Sequence, residues 1–201
     1  MPFDVLIIGG GVSGVSCALV LGSAHKKPFV ADKRIGIISH QKTSSLQEAL
    51  FNNAYGIAPG TLGSDLLNTS IEQLSDLYPH VIQIDDEKVM KIVGTAPNFT
   101  VITNKNSYTA KTIVVAIGYS NTFAIEGLMN FIDTHPKAIA EKQRIYLRNH
   151  DHKVADGIYV AGTLAGWRSQ LAIAAGSGAA VATDILTLWN NGIDSQSHDK
   201  V

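Results

Sequence analysis

A continuous apolar run, Val5-Leu6-Ile7-Ile8, stops at Gly9-Gly10-Gly11-Val12-Ser13-Gly14. Such a run ending at glycine predicts a strand buried on both faces of a parallel sheet. The small and apolar stretch from Ser13 to Gly22 predicts a helix directly after it. Gly9, Gly11 and Gly14 have the spacing G-x-G-x-x-G, and each position answers a different demand. Gly9 permits a tight turn, Gly11 lets the backbone approach a pyrophosphate, and Gly14 lets the helix lie close on the strand. Val12 and Ser13 complete the turn, where amide groups and the helix dipole suit phosphate. Pro28-Phe29-Val30-Ala31 predicts a second strand ending at Asp32, 18 residues beyond Gly14. A carboxylate there can accept hydrogen bonds from both hydroxyls of a ribose. Strand, turn, helix, strand and acid together predict a dinucleotide site. The turn alone suits FAD and NAD equally, and a glycine-rich packing turn is the reading without a ligand.

The rest of the chain extends this pattern. Leu66, Leu67, Ile71, Leu74 and Leu77 recur at helical spacing, which predicts a helix over 62–78 with a core-facing stripe. Residues 33–64 otherwise read as mostly loop. Val81-Ile84, Lys88-Val93, Phe99-Thr103 and Tyr108-Ala110 predict a short antiparallel meander. Thr112 to Gly118 and Gly157 to Gly162 predict two more buried strands that end at glycine, and Arg144 to Arg148 a further strand. Ser169 to Trp189 predicts a long helix of small residues. The expected fold is α/β: a Rossmann-like FAD/NAD(P)-binding domain, a parallel sheet with helices on both faces, plus a small antiparallel meander. It is expected as one domain over 1–192, with a flexible tail at 193–201.

Composition excludes several classes. The net charge is −1 and no basic run exceeds two residues, so nothing points to nucleic acid. Cys17 is the only cysteine, which rules out an internal disulfide, a CxxC dithiol and a multi-cysteine metal site, and suits a reducing cytoplasm. Val5 to Gly22 lacks a basic region before it, and Leu171 to Leu188 is rich in Gly, Ala and Ser and broken by Asp184. Neither is expected to span a membrane.

Val115-Ala116-Ile117-Gly118 and the segment GIYVAGTLAGWRSQLAIAAGSG (157–178) sharpen the reading. With the glycine turn, they resemble the FAD-binding half of thioredoxin reductase-like proteins of the pyridine nucleotide-disulfide oxidoreductase family. The resemblance covers about residues 3–115 and 155–190. It implies FAD as cofactor. It implies that Gly9, Gly11, Val12, Ser13 and Gly14 hold the pyrophosphate, and that Asp32, with Lys33 and Arg34 close by, binds the adenosine ribose. Val89 would meet the adenine through its backbone, and Ala116 and Gly118 would pass beside the cofactor. Gly162 and Thr163 would approach the ribityl chain and phosphate. Gln170 and Leu171 would start a helix whose amides face the flavin pyrimidine edge. His40 follows Asp32 in a loop that runs toward the flavin in related proteins; a cofactor contact and an ordinary loop histidine both fit.

The departures are as informative. Gly162 lies only 44 positions after Gly118, where the family inserts a whole NAD(P)H domain, and no second glycine-rich turn exists. The connection 119–154 stands in its place. The redox CxxC is missing, Thr163 stands for an aspartate, and Ile117 for a threonine. The expectation is an FAD-binding oxidoreductase without disulfide reductase activity, reduced by NAD(P)H or a redox partner protein and paired as a homodimer. A non-catalytic flavin-binding or sensing module, or one subunit of a split reductase, is the alternative. A small NAD-dependent dehydrogenase would need Tyr-x-x-x-Lys, which no tyrosine here satisfies. No side chain stands out as a general acid or base. Cys17 reads as a buried small hydrophobe, His150-Asp151-His152 as an exposed turn rather than a metal site, and Trp167-Arg168 as lining the flavin edge, a dimer contact or plain surface.

Overall fold

The computed structural model describes residues 1–40, 46–119 and 122–198. In chain order the strands are β1 (Val5–Ile8), β2 (Ile35–Ser39), β3 (Leu50–Phe51), β4 (Thr61–Leu62), β5 (Ile82–Asp85), β6 (Val89–Thr95), β7 (Asn98–Thr103), β8 (Ser107–Ala110), β9 (Ile113–Val115), β10 (Ile132–Thr134), β11 (Ile145–Leu147), β12 (Lys153–Ala155) and β13 (Ile158–Val160). The α-helices are α1 (Val12–Ser23), α2 (Gly63–Leu77) and α3 (Leu171–Trp189).

Six strands form the main sheet in the order β12-β13-β9-β1-β2-β5. All neighbours run parallel except β12 at the edge, which is antiparallel to β13. Side chains alternate across a strand, and here the alternation builds two cores. Val5, Ile7, Ile35, Ile37 and Val114 pack with Cys17 and Leu21 of α1, Leu74 of α2 and Val181 and Ile185 of α3. Leu6, Ile8, Ile38, Ile113 and Val115 pack on the opposite face with Ile92, Phe99 and Val101. The Rossmann-like parallel sheet and the meander are therefore both present. The helices gather on one face, and the three-stranded antiparallel sheet β6-β7-β8 covers the other. The strand expected at 81–84 does not join the meander; as β5 it pairs with β2 in the main sheet.

The second strand is the largest correction. Residues 28–32 form turns, in which the Lys27 carbonyl accepts from the amides of Val30 and Ala31. The strand is Ile35–Ser39, inside the segment expected to be loop. Its glycine is what disguised it. A Cβ on Gly36 would lie 2.5 Å from the Phe3 ring, so only glycine lets that ring cover the strand. Of the tail expected to be flexible, the described part touches the fold: Ser195 is buried and takes a hydrogen bond from the Asn190 side chain, and the Ser23 hydroxyl donates to Ser197, while 199–201 lie outside the described residues.

Helix α3 is apolar and long enough to cross a membrane by length and composition, with mean hydropathy 1.6. In the structure it lies against α1 instead. A Cβ on Gly178 would stand 2.0 Å from the Ser13 carbonyl oxygen, and the Ser16 hydroxyl donates to the Ala175 carbonyl at 2.8 Å. Gly178→Ala sets two effects against each other. Alanine is favoured in a helix by about 1 kcal/mol, whereas overpacking costs about 1–3 kcal/mol. The contact is with rigid backbone, so the clash should win. Urea denaturation should show a net loss of up to about 2 kcal/mol.

Candidate functional site

The carboxyl edge of the parallel sheet is where the chain gathers its open backbone groups. At the end of β1, Gly9 has φ +119°, and a Cβ on it would lie 2.5 Å from the Ala116 oxygen. The turn is knitted to its neighbours. Gly9 N–H donates to Ile38 O, Ala116 N–H to Ile8 O, and Ala161 N–H to Val115 O, at 2.8, 2.8 and 2.9 Å. A Cβ on Gly14 would overlap the Gly9 oxygen at 1.8 Å, so α1 sits directly on the turn. Gly11 is different. It caps α1 in extended backbone, and nothing lies within 4 Å of where its Cβ would be. That is the cradle a phosphate needs: backbone that can be approached, at a helix start with no acid in its first turn.

The other strand ends close round it. Gly118 also has open space beside it. Gly162, at φ +73°, begins a 3-10 turn (Gly162–Ala165) and comes so close to Ser13 that a Cβ would lie 2.6 Å from its hydroxyl. Thr163 follows it. Gln170 caps α3, Leu171 is its first residue, and no side chain occupies that cap. Leu171 also lines an apolar cavity of about 200 Å³ with Gly11, Val12, Leu66 and Leu67. Gly9, Gly11, Val12, Ser13, Gly14, Ala116, Gly118, Gly162, Thr163, Gln170 and Leu171 thus share one region, and His40 follows β2 at the same edge, exposed.

Asp32, Lys33 and Arg34 do not. They precede β2, so they stand at the opposite edge of the sheet. There Lys33 lies 4.0 Å from Asp4 and over the Trp189 ring, and Arg34 stacks on Phe3. The Asp4 carboxylate takes the Arg34 amide and the Lys111 ammonium, each at 2.9 Å. Burial pushes Asp4 up, but these bonds and charges outweigh it and hold the carboxyl below its ordinary range. This cluster is a structural clasp, remote from the glycine turn.

The carboxylates near the turn come from elsewhere. Ser39 ends β2 and pairs in register with Asp85, which ends β5. The Ser39 hydroxyl donates to Asp85 Oδ1 at 2.6 Å, and Asp85 itself is exposed. Glu87 is close by, with its amide on the Ser39 carbonyl, but its carboxylate is fully engaged by Thr103, Asn106 and Tyr108. Val89 begins β6 just beyond, buried and paired with Thr103.

Two histidines brace the Gly162 turn. His152 is buried, so the expected exposed turn holds only for its neighbours His150 and Asp151. Its Nε2 faces the Ser177 hydroxyl at 2.9 Å and the Trp167 indole N–H at 3.2 Å. Ser177 also accepts the Gly162 amide at 2.8 Å. An indole can only donate, so Nε2 is the acceptor and the neutral ring is protonated at Nδ1. His135 is buried as well. It takes the Lys137 amide on Nδ1, so Nε2–H donates to the Thr163 carbonyl at 3.0 Å. Neither role leaves a sequence signal, because the contacts join residues up to 28 positions apart. Among the described residues no group of three or more His, Cys, Asp or Glu could hold a metal. Cys17 is fully buried, which pushes its thiol far up and makes it inert.

Burial pulls His152 below its ordinary value of 6.5, against the upward push of Asp151 and Asp184. A histidine kept neutral in the fold adds stability above pH 6.5, and that stability is lost as the pH falls through the lower folded value. His80 is pulled the same way by burial and by His25. Stability measured by denaturant should therefore fall between pH 7 and 5. His152→Gln and His80→Gln should each flatten part of the slope, and an unchanged profile in both would contradict this reading.

The profile of the family described as "Pyridine nucleotide-disulphide oxidoreductase" matches residues 3–163. Among solved structures, an oxidoreductase from Agrobacterium tumefaciens superposes with TM-score 0.73 at 14% identity, covering 94% of this chain and 99% of that one. A thioredoxin reductase from Gloeobacter violaceus gives TM-score 0.73 at 14% identity, covering 100% and 99%. A ferredoxin-flavin thioredoxin reductase from Clostridium acetobutylicum gives 0.68 at 16%, covering 95% and 98%. None of the curated proteins compared with the chain matches it.

Proposed function

The chain belongs to the pyridine nucleotide-disulphide oxidoreductase family, and on that premise we propose that it is an FAD-binding flavoprotein that acts as an oxidoreductase. The observation that carries this is the Gly11 cradle, open where its neighbours Gly9 and Gly14 are jammed against backbone. When bound, the flavin supplies the electron-transfer chemistry. The chain supplies position: the turn 9–14 takes the pyrophosphate, the segment from Gly162 to Thr163 flanks the ribityl chain, and the first amides of α3 face the flavin's edge. Asp32, Lys33 and Arg34 have no part in it. Asp85, with one carboxylate oxygen held by Ser39 and the rest exposed, is the acid that receives the adenosine ribose.

With Cys17 as its single, buried cysteine, the chain has no dithiol of its own and does not reduce disulfides through one. The flavin then exchanges electrons with NAD(P)H or with a redox partner protein. The second choice has support on this fold, since one similar structure is a ferredoxin-flavin thioredoxin reductase. Pairing of two copies and a cytoplasmic setting complete the reading. A sensing module that binds flavin without turnover is the alternative favoured by the short connection; rapid bleaching of the flavin by NADPH under anaerobic conditions would count against it.

The purified protein should be yellow, or should become so on adding FAD; a colourless protein that cannot be reconstituted overturns the proposal. Gly11→Val separates binding from folding. Gly11 is in extended backbone with empty space beside it, so the fold should tolerate valine while FAD affinity drops tenfold or more. Asp85→Asn should weaken FAD about tenfold, equivalent to about 1.4 kcal/mol. Asp32→Asn should leave it unchanged. Fluorescence titration with FAD measures all three.

A further inference from the structure

The connection between Gly118 and Gly162 carries an arginine, Arg144, with no carboxylate partner among the described residues. Tyr119 directly follows Gly118, and the Arg144 guanidinium lies over its ring, 4.6 Å from the centroid. The stack is rigidly built. Ile145 N–H reaches the Tyr119 carbonyl, and His135 N–H donates to the Arg144 carbonyl at 2.9 Å. Beneath, the His135 ring packs edge-on to both Tyr119 and Tyr146, at 5.3 and 6.4 Å between centroids. His135 is in turn bonded to the Thr163 carbonyl, so the arginine is mechanically joined to the turn that flanks the cofactor.

What this framework holds is uncompensated. Arg144 Nε is buried and makes no hydrogen bond. No carboxylate pairs with Arg144 among the described residues. Lys137, two residues after His135, lies over the Trp167 ring at 4.1 Å and likewise has no carboxylate partner among the described residues. A buried polar atom without a partner is rare in native folds and calls for a ligand, ion or water. A guanidinium held over an aromatic ring, 4.6 Å from its centroid, is restrained in place, and its planar fork matches a two-oxygen anion.

We propose that Arg144 binds an oxyanion, a phosphate or a carboxylate, on the molecule that exchanges electrons with the flavin. The inference rests on the flavoprotein reading and adds to it the charge class of the reaction partner. The site stands at the end of β9, where the chain passes from Gly118 into the connection, and it serves in place of a separate domain for that partner. Tyr119, His135 and Tyr146 position the arginine; they do not themselves meet the ligand.

The test uses the FAD-loaded protein and calorimetric titration with NADP+, which carries the phosphates but no hydride to transfer, in one arm and succinate in the other. Binding of either, weakened at least tenfold by Arg144→Gln, supports the proposal and tells phosphate from carboxylate. Arg144→Lys should recover part of the affinity, because it restores charge without the planar fork. FAD affinity should stay at the wild-type value in both variants, and the thermal midpoint should fall only slightly, by the loss of the contact with Tyr119, since Arg144 makes no side-chain hydrogen bond among the described residues. Equal binding of the probes by wild type and Arg144→Gln, or no binding of either by wild type, overturns it. Failure of the wild type to take up FAD in a prior titration would instead overturn the flavoprotein reading beneath it.

Discussion

Close backbone approach at glycine is the constraint on which this structure depends. Gly14 rests on the Gly9 carbonyl, Gly178 on the Ser13 carbonyl, and Gly162 beside the Ser13 hydroxyl. In each case a single Cβ would collide with backbone or a buried side chain. These contacts bring the starts of α1 and α3 and the ends of β1, β9 and β13 into one small region. A helix start can serve an anion only if its amides are left bare and nothing fills the space before them. Gly11, open where the others are blocked, meets that condition. Packing therefore prepares this edge: the jammed glycines hold the backbone in place while Gly11 stays open.

The two edges of the sheet divide the labour. At the amino edge, charges are spent on one another. Asp4 takes Arg34 and Lys111, with Lys33 nearby, and aromatic rings cover what remains. At the carboxyl edge, backbone groups stay available and the bracing histidines are kept neutral or hydrogen-bonded. His152 reaches the Gly162 turn through Ser177, and His135 through the Thr163 carbonyl. The connection between Gly118 and Gly162, which carries both histidines, thus supports the Gly162 turn.

Much of this was legible in the sequence, and the reason is local. The run before Gly9, the spacing to Gly14, the long small-residue helix and the strands ending at Gly118 and Gly162 each rest on residues close together in the chain. The errors arose where the answer depended on distant residues. Pro28 to Ala31 looks as strand-like as Ile35 to Ser39, and the choice was made by the Phe3 ring, which needs Gly36 beneath it. Moving the strand moved its end, and with it Asp32 passed to the wrong edge. The acid beside the turn, Asp85, belongs to a strand that follows β2 by more than forty residues and meets it only through sheet pairing. His152 sits in a polar tripeptide, and only Ser177 and Trp167 folding over it make it a buried group.

By itself, then, the sequence determined the class of fold, the glycine turn and the kind of molecule that such a turn can cradle, because hydrophobic period and glycine spacing are written residue by residue. Tertiary structure alone decided which strand pairs with β1, that Asp85 stands in register with Ser39 at the same edge, which histidines brace the Gly162 turn, and that Arg144 lies over Tyr119 without a carboxylate partner among the described residues. Those outcomes depend on register and packing between residues far apart in the chain, and no local pattern encodes them.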